Sequence, residues 1–124
     1  MALTIHRGSD TLNKKLLHLQ TSITDGAIHD LIQGVSGKRI SIWKLLAYCA
    51  TDAKSCTLLN GTIDKFHTML TGVFKREFEY NSNDGMPVFV CNENEDFSVD
   101  PSDTTAWEFY IVYSIDKTVK TIVE

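Results

Sequence analysis

Six residues, Gly34-Val35-Ser36-Gly37-Lys38-Arg39, are of the types a phosphate-binding loop uses: glycines that free backbone N–H groups and a lysine that meets the charge. Their spacing does not complete the motif. Such a loop needs four residues between its glycines and a Ser or Thr after the lysine, whereas this chain supplies two residues and Arg39. The segment is therefore read as a turn whose Lys38 and Arg39 reach solvent. The four histidines, His6, His18, His29 and His67, fall at neither His-x-His nor His-x-x-x-His spacing, so no two imidazoles share a face within one element. Residues 92–103 (NENEDFSVDPSD) hold Glu93, Glu95, Asp96, Asp100 and Asp103, the oxygen ligands calcium requires, but without the Asp-x-Asp-x-Asp-Gly order of a calcium loop. This stretch reads as a solvated acidic rim, with a weak cation site or a contact for a basic partner patch as the alternatives.

Nucleophilic catalysis needs a Ser or Cys beside a His and an orienting carboxylate, and neither a Gly-x-Ser-x-Gly elbow nor a local cysteine signature occurs. An enzyme reading would turn on His67 or Cys91. The expectation is instead a non-enzymatic protein with no catalytic residue, no cofactor-binding residue, no metal ligand and no cofactor. Three cysteines, Cys49, Cys56 and Cys91, form neither an even set nor a Cys-x-x-Cys pair; they are read as reduced and apolar, a Cys49–Cys56 bridge being conceivable across a turn. Trp43, Tyr80, Trp107, Tyr110 and Tyr113 are of the type that stacks on sugar rings, but in a β-sandwich such residues are mainly core. Asn60-Gly61-Thr62 matches a glycosylation sequon and reads better as a turn.

The elements that must position these residues show the two-residue period of strands. Residues 11–23 are read as extended. Asp25-Gly26 turns the chain, and residues 27–34 read as a short strand. Ser36-Gly37 is a second turn. In residues 38–50, Ile40 and Ile42 alternate with Arg39, Ser41 and Trp43, and the pattern then thickens into KLLAYCA. That change predicts a strand solvated on one face in its first half and covered on both in its second, with a bulge near Lys44. Asn60-Gly61 between apolar segments predicts a hairpin with a type I′ turn. Phe74, Arg76, Phe78 and Tyr80 alternate with Lys75, Glu77 and Glu79, a half-buried strand with a charged outer face. Pro87 limits residues 86–91 to an edge or a strand start, and residues 96–100 read as a short strand. Residues 104–115 place Trp107, Phe109, Ile111 and Tyr113 on one face, and Ala106, Glu108, Tyr110 and Val112 on the other.

About eight short strands at this spacing predict an all-β fold, a two-layer antiparallel β-sandwich or jelly roll. Residues 1–25 are expected to form an N-terminal arm or peripheral strand and residues 26–124 the sandwich, with residues 117–124 a last strand or a pairing tail. A 124-residue chain is long enough to bury a core without disulfide or metal staples, and 43% apolar with 23% charged residues argues against disorder. Its formal net charge of -4 is the wrong sign for coating nucleic acid, and no apolar run is long enough to span a bilayer. Neither a membrane nor direct nucleic-acid binding is expected.

The strand at residues 28–35, the turn Ser36-Gly37-Lys38-Arg39-Ile40, the polar break at residues 51–55, the turn at Asn60-Gly61 and the closing Phe109-Tyr110-Ile111-Val112-Tyr113 resemble a group of small tailed-bacteriophage virion proteins. In that group a VSGKKI turn opens a long strand, a hairpin follows, then a proline-plus-aromatic segment and a final strand. The resemblance covers roughly residues 26–115, and its motifs are turns rather than catalytic residues. It implies a β-sandwich virion subunit, a head decoration (cement) protein that binds the major capsid protein or another virion protein at the capsid surface, commonly as a homotrimer. A tail or neck adaptor and a fibre-associated glycan-binding jelly roll, stacking sugar on Trp43, Tyr80 or Trp107, are the alternatives. The many charges in residues 74–80 and the stretch before Ala27 depart from the group's pattern.

Overall fold

The computed structural model describes residues 15–51, 54–61, 64–71, 76–82, 85–101 and 105–117. Among them the regular elements are all strands: β1 (Leu17–Ile23), β2 (His29–Ile32), β3 (Lys38–Cys49), β4 (Ser55–Asn60), β5 (Asp64–Leu70), β6 (Arg76–Asn81), β7 (Phe89–Val90), β8 (Phe97–Pro101) and β9 (Trp107–Lys117). They form two packed antiparallel sheets. One runs β1-β9-β3-β6, with β7 also on β3; the other runs β2-β8-β4-β5.

The pairings are nested. β4 pairs with β5, β3 with β6, β2 with β8 and β1 with β9, as in one long hairpin, and β9–β3 and β8–β4 contacts roll that hairpin into two sheets. This is the jelly roll, with β7 added. β7 continues along β3 past the end of β6: β6 pairs with Lys44 through Cys49, and β7 with Ser41 and Ile42. Residues 17–23, within the stretch expected as an arm or peripheral strand, are an edge strand of the larger sheet, in register with β9 from Leu17↔Tyr113 to Ile23↔Trp107. Residues 1–14 and 118–124, on which the rest of the expected arm and the expected tail fall, lie outside the described residues.

Alternation builds the core. Trp107, Phe109 and Ile111 of β9 point inward beside Leu45, Ala47 and Cys49 of β3, opposite Cys56, Leu58, Phe97 and Val99 of the smaller sheet. Trp107 is fully buried between the rings of Phe78 and Phe109, 6.0 and 6.3 Å away, and its Nε1 finds no hydrogen-bond partner among the described residues. A second aromatic group, Phe66, Tyr80, Phe89 and Phe97, closes the side where β5 faces β6 and β7.

β3 has the bulge expected near Lys44. Ile42 pairs with Tyr113 and Lys44 with Val112, which leaves Trp43 as the extra residue. Because one inserted residue reverses the two-residue period, the inward positions change from Ile40 and Ile42 to Leu45, Ala47 and Cys49. The distribution of cover differs in part from that expected from the apolar pattern. On the outer side of the first half Arg39 is exposed but Ser41 is buried, and in the second half Leu46 and Tyr48 are only half-buried.

The hairpin at Asn60-Gly61 forms, but its turn is not type I′. Asn60 pairs with Asp64 as the last residue of β4, so residues 61–63 make the connection. Of the two turn residues only Gly61 has positive φ, at 73°. Asn60 stays extended as a strand residue paired on both sides, with Asp64 of β5 and Phe97 of β8, and its side-chain Oδ1 accepts a hydrogen bond from the Asn92 N–H at 2.9 Å.

Candidate binding face

The residues singled out for chemistry are mostly engaged in holding the fold. In the Gly34–Arg39 segment, the N–H groups that would face an anion are already taken. Gly34 N–H donates to Asp96 Oδ1 and Gly37 N–H to Asn94 Oδ1, both at 2.6 Å, while Lys38 N–H closes the turn on the Val35 carbonyl at 3.0 Å. The acidic stretch is thus a rim only in part. Glu93, Asn94 and Glu95 are exposed, but Asn94, at φ 71°, and the half-buried Asp96 bind the turn before β3, and the Asp96 carbonyl accepts from Gly61 N–H at 2.8 Å. Residues 92–96 clasp two other turns at one end of the sandwich. Asp103 lies outside the described residues.

The histidines are dispersed, as their spacing suggested. His18 Nδ1 lies 2.8 Å from the Tyr110 hydroxyl, His29 Nε2 lies 2.6 Å from Asp25 Oδ1, and His67 packs edge-on to Tyr80; His6 is outside the described residues. The Ala27 N–H and the His29 ring both hydrogen-bond the Asp25 carboxyl and hold it below the usual carboxylate range. No group of three or more His, Cys, Asp or Glu among the described residues is arranged to hold a metal ion. Cys49, Cys56 and Cys91 are free and buried, with Cys49 in the larger sheet and Cys56 in the smaller. Burial, reinforced by the charge of Asp100, pushes the Cys56 thiol up to about 12; burial, with Asp96 and Glu95, does the same for Cys91. Such thiols are poor nucleophiles.

The three aromatics proposed for sugar stacking do not line one surface. Trp107 is enclosed, and Tyr80 packs inward against Phe89 at 5.6 Å. Trp43 lies on the outer side of the bulge. Its Nε1–H donates to Ser114 Oγ at 2.9 Å, Ser114 and Ser41 each donate to Asp116 Oδ2, and this network lies beside the half-buried indole.

What the sequence did not group is the outer face of the larger sheet. There the register sets Ser22, Glu108, Tyr48 and Glu77 in one row across four strands, and Gln20, Tyr110, Leu46 and Glu79 in the next. These residues line an open depression of about 780 Å³. Tyr48, Leu46 and Tyr110 form its half-buried floor, and Gln20, Glu77, Glu79 and Glu108 are exposed around them. The His18 contact fixes the Tyr110 ring, and Asn81 Nδ2 donates to Glu79 at 3.0 Å. Among the described residues none of the three glutamates is in an ion pair. Glu77 and Glu79 were legible as the charged side of an alternating strand. Their meeting with Tyr48 and Glu108 depends on pairing between distant segments, which no local pattern announces.

No protein-family model matches the chain, and no curated protein matches it. Among the described residues no helix is long and apolar enough to cross a membrane.

Proposed function

We propose that this protein is a non-enzymatic structural subunit of a tailed-bacteriophage particle, a decoration (cement) protein that binds the capsid surface and stabilises the assembled shell. One observation carries the reading. In a jelly roll whose sequence turns resemble those of small virion proteins, most of the described groups singled out for chemistry are engaged in architecture: loop amides bound to Asn94 and Asp96, thiols buried, histidines dispersed. Such a scaffold acts by binding. A protein that associates only with the assembled shell stabilises it by mass action. Arranged as a homotrimer about a three-fold axis, its individually weak contacts would be multiplied by avidity.

The test is sedimentation of purified protein with particles that lack it, followed by heating and chelator challenge of the decorated and bare shells. The expected result is co-sedimentation, a higher disruption temperature for decorated shells, and a native mass three times the 14.0 kDa of the chain. A monomer that does not sediment with particles and leaves shell stability unchanged overturns the reading.

A further inference from the structure

The geometry points to the outer face of the larger sheet as the docking face, and to a basic, arginine-bearing extended segment of a partner protein as its occupant. Its place in shell attachment rests on the function proposed above; the recognition chemistry does not. Tyr48 is the centre. Glu108 on β9 and Glu77 on β6 pair with it from either side, so two carboxylates about 10 Å apart at their Cα atoms flank one phenol ring. A guanidinium lying on that ring can reach a carboxylate on each side and stack on the π face between them. In the next row Leu46 and Tyr110 continue the apolar floor, and Glu79 adds a third negative charge.

Charge selects the occupant. With no countercharge paired to these glutamates among the described residues, an incoming cation gains attraction from three carboxylates, two on β6 and one on β9, whereas a second copy of this chain docking by the same face would oppose carboxylate to carboxylate. A neutral sugar could stack on Tyr48, but it would leave three charges uncompensated. The face is open and shallow, which suits a peptide laid across strands better than an enclosed small molecule.

The test is a titration of isotope-labelled full-length protein, followed by amide NMR shifts, with a capped glycine-arginine pentapeptide at low salt. Parallel titrations use its glycine-glutamate counterpart and a neutral glucan oligosaccharide. The expected result is shifts confined to β1, β3, β6 and β9 with the arginine peptide alone, weakening as salt is raised. The double substitution Glu77→Gln and Glu108→Gln, at exposed positions and nearly isosteric, should leave the fold intact and weaken binding about tenfold. Tyr48→Phe should bind nearly as the native chain does, and Tyr48→Ala should not bind. Shifts produced by the glucan on this face would assign it to sugars and overturn the inference, as would arginine-peptide shifts centred on residues 92–96 or unaffected by the double substitution. Particle binding that survives the double substitution removes this face from shell attachment while leaving the decoration reading standing. Arginine-peptide binding without particle association does the opposite.

Discussion

Replacing Gly34 with alanine adds one methyl group where the structure has no room for it. An alanine Cβ there would collide with the Asn94 carbonyl oxygen and lie 2.8 Å from its carbon and 2.9 Å from the Glu95 carbonyl carbon. All three are backbone atoms, so no side chain can swing aside. The turn must back away from residues 92–96, which stretches the charge-assisted bond from Gly34 N–H to Asp96, of a kind that contributes about 1.5–3 kcal/mol. Against this, alanine stiffens the unfolded chain, a gain of about 0.4–1 kcal/mol. The net expectation is a loss of about 1.5 kcal/mol, or roughly 5–8 °C in melting temperature for a domain of this size. Gly37→Ala is the control. Gly37 has a φ of 75°, but a Cβ there meets nothing within 4 Å. Its substitution should cost about 1–2 kcal/mol of left-handed strain, partly offset by the same unfolded-state gain, for a drop of roughly 2–4 °C. Thermal melts of both variants by circular dichroism decide the matter. Gly34→Ala melting within 2 °C of the native protein, or above Gly37→Ala, would refute the close approach.

Three further outcomes are expected. Cys56 and Cys91 keep their protons in the folded state up to about 12, while unfolded thiols ionise near 9.0, so the fold's advantage is complete below pH 9 and is lost as pH rises toward 12. Two such thiols give a slope of about 2.7 kcal/mol per pH unit in that window, measurable by urea melts at stepped alkaline pH. At pH 8 a thiol reagent followed by mass spectrometry should label none of the three cysteines in the native protein and all three in denaturant. Ile111→Ala, which opens a cavity at a fully buried site on the central β9, should cost about 2–5 kcal/mol in denaturant melts, whereas a comparable change at exposed Leu16 should cost under 1 kcal/mol.

Much of the scaffold was legible because its signals are local. Alternation marked β6 and β9, and Ser36-Gly37 marked the turn into β3, where Gly37 has the positive φ its position requires. The Asn60-Gly61 hairpin was legible, but not its turn type, because Asn60 is kept in the strand by pairing with Phe97 of the distant β8 as well as with Asp64. The thickened run in β3 suggested cover on both faces where there is one, since a bulge that exchanges inward and outward positions looks, in sequence, like loss of alternation. The depression around Tyr48 was hidden for a related reason. Its rows are assembled from β1, β3, β6 and β9, and composition cannot reveal which rung of one strand meets which rung of another. The acidic residues near 95 were visible as charge, and the fixing of the Gly34 turn by Asp96 was not.

The clasp formed by residues 92–96 also bears on the order of events in folding. Its bonds join residues 62, 57 and 32 positions apart, and none can form until the returning half of the rolled hairpin has come back beside the first. Polar bonds between loops that close only after the strands have paired are expected to form after the folding barrier and to contribute little to the folding rate. They act on the reverse journey. On that expectation an intact clasp lengthens the lifetime of the folded protein, and its loss should leave the folding rate nearly unchanged while hastening unfolding, the rate that governs kinetic stability.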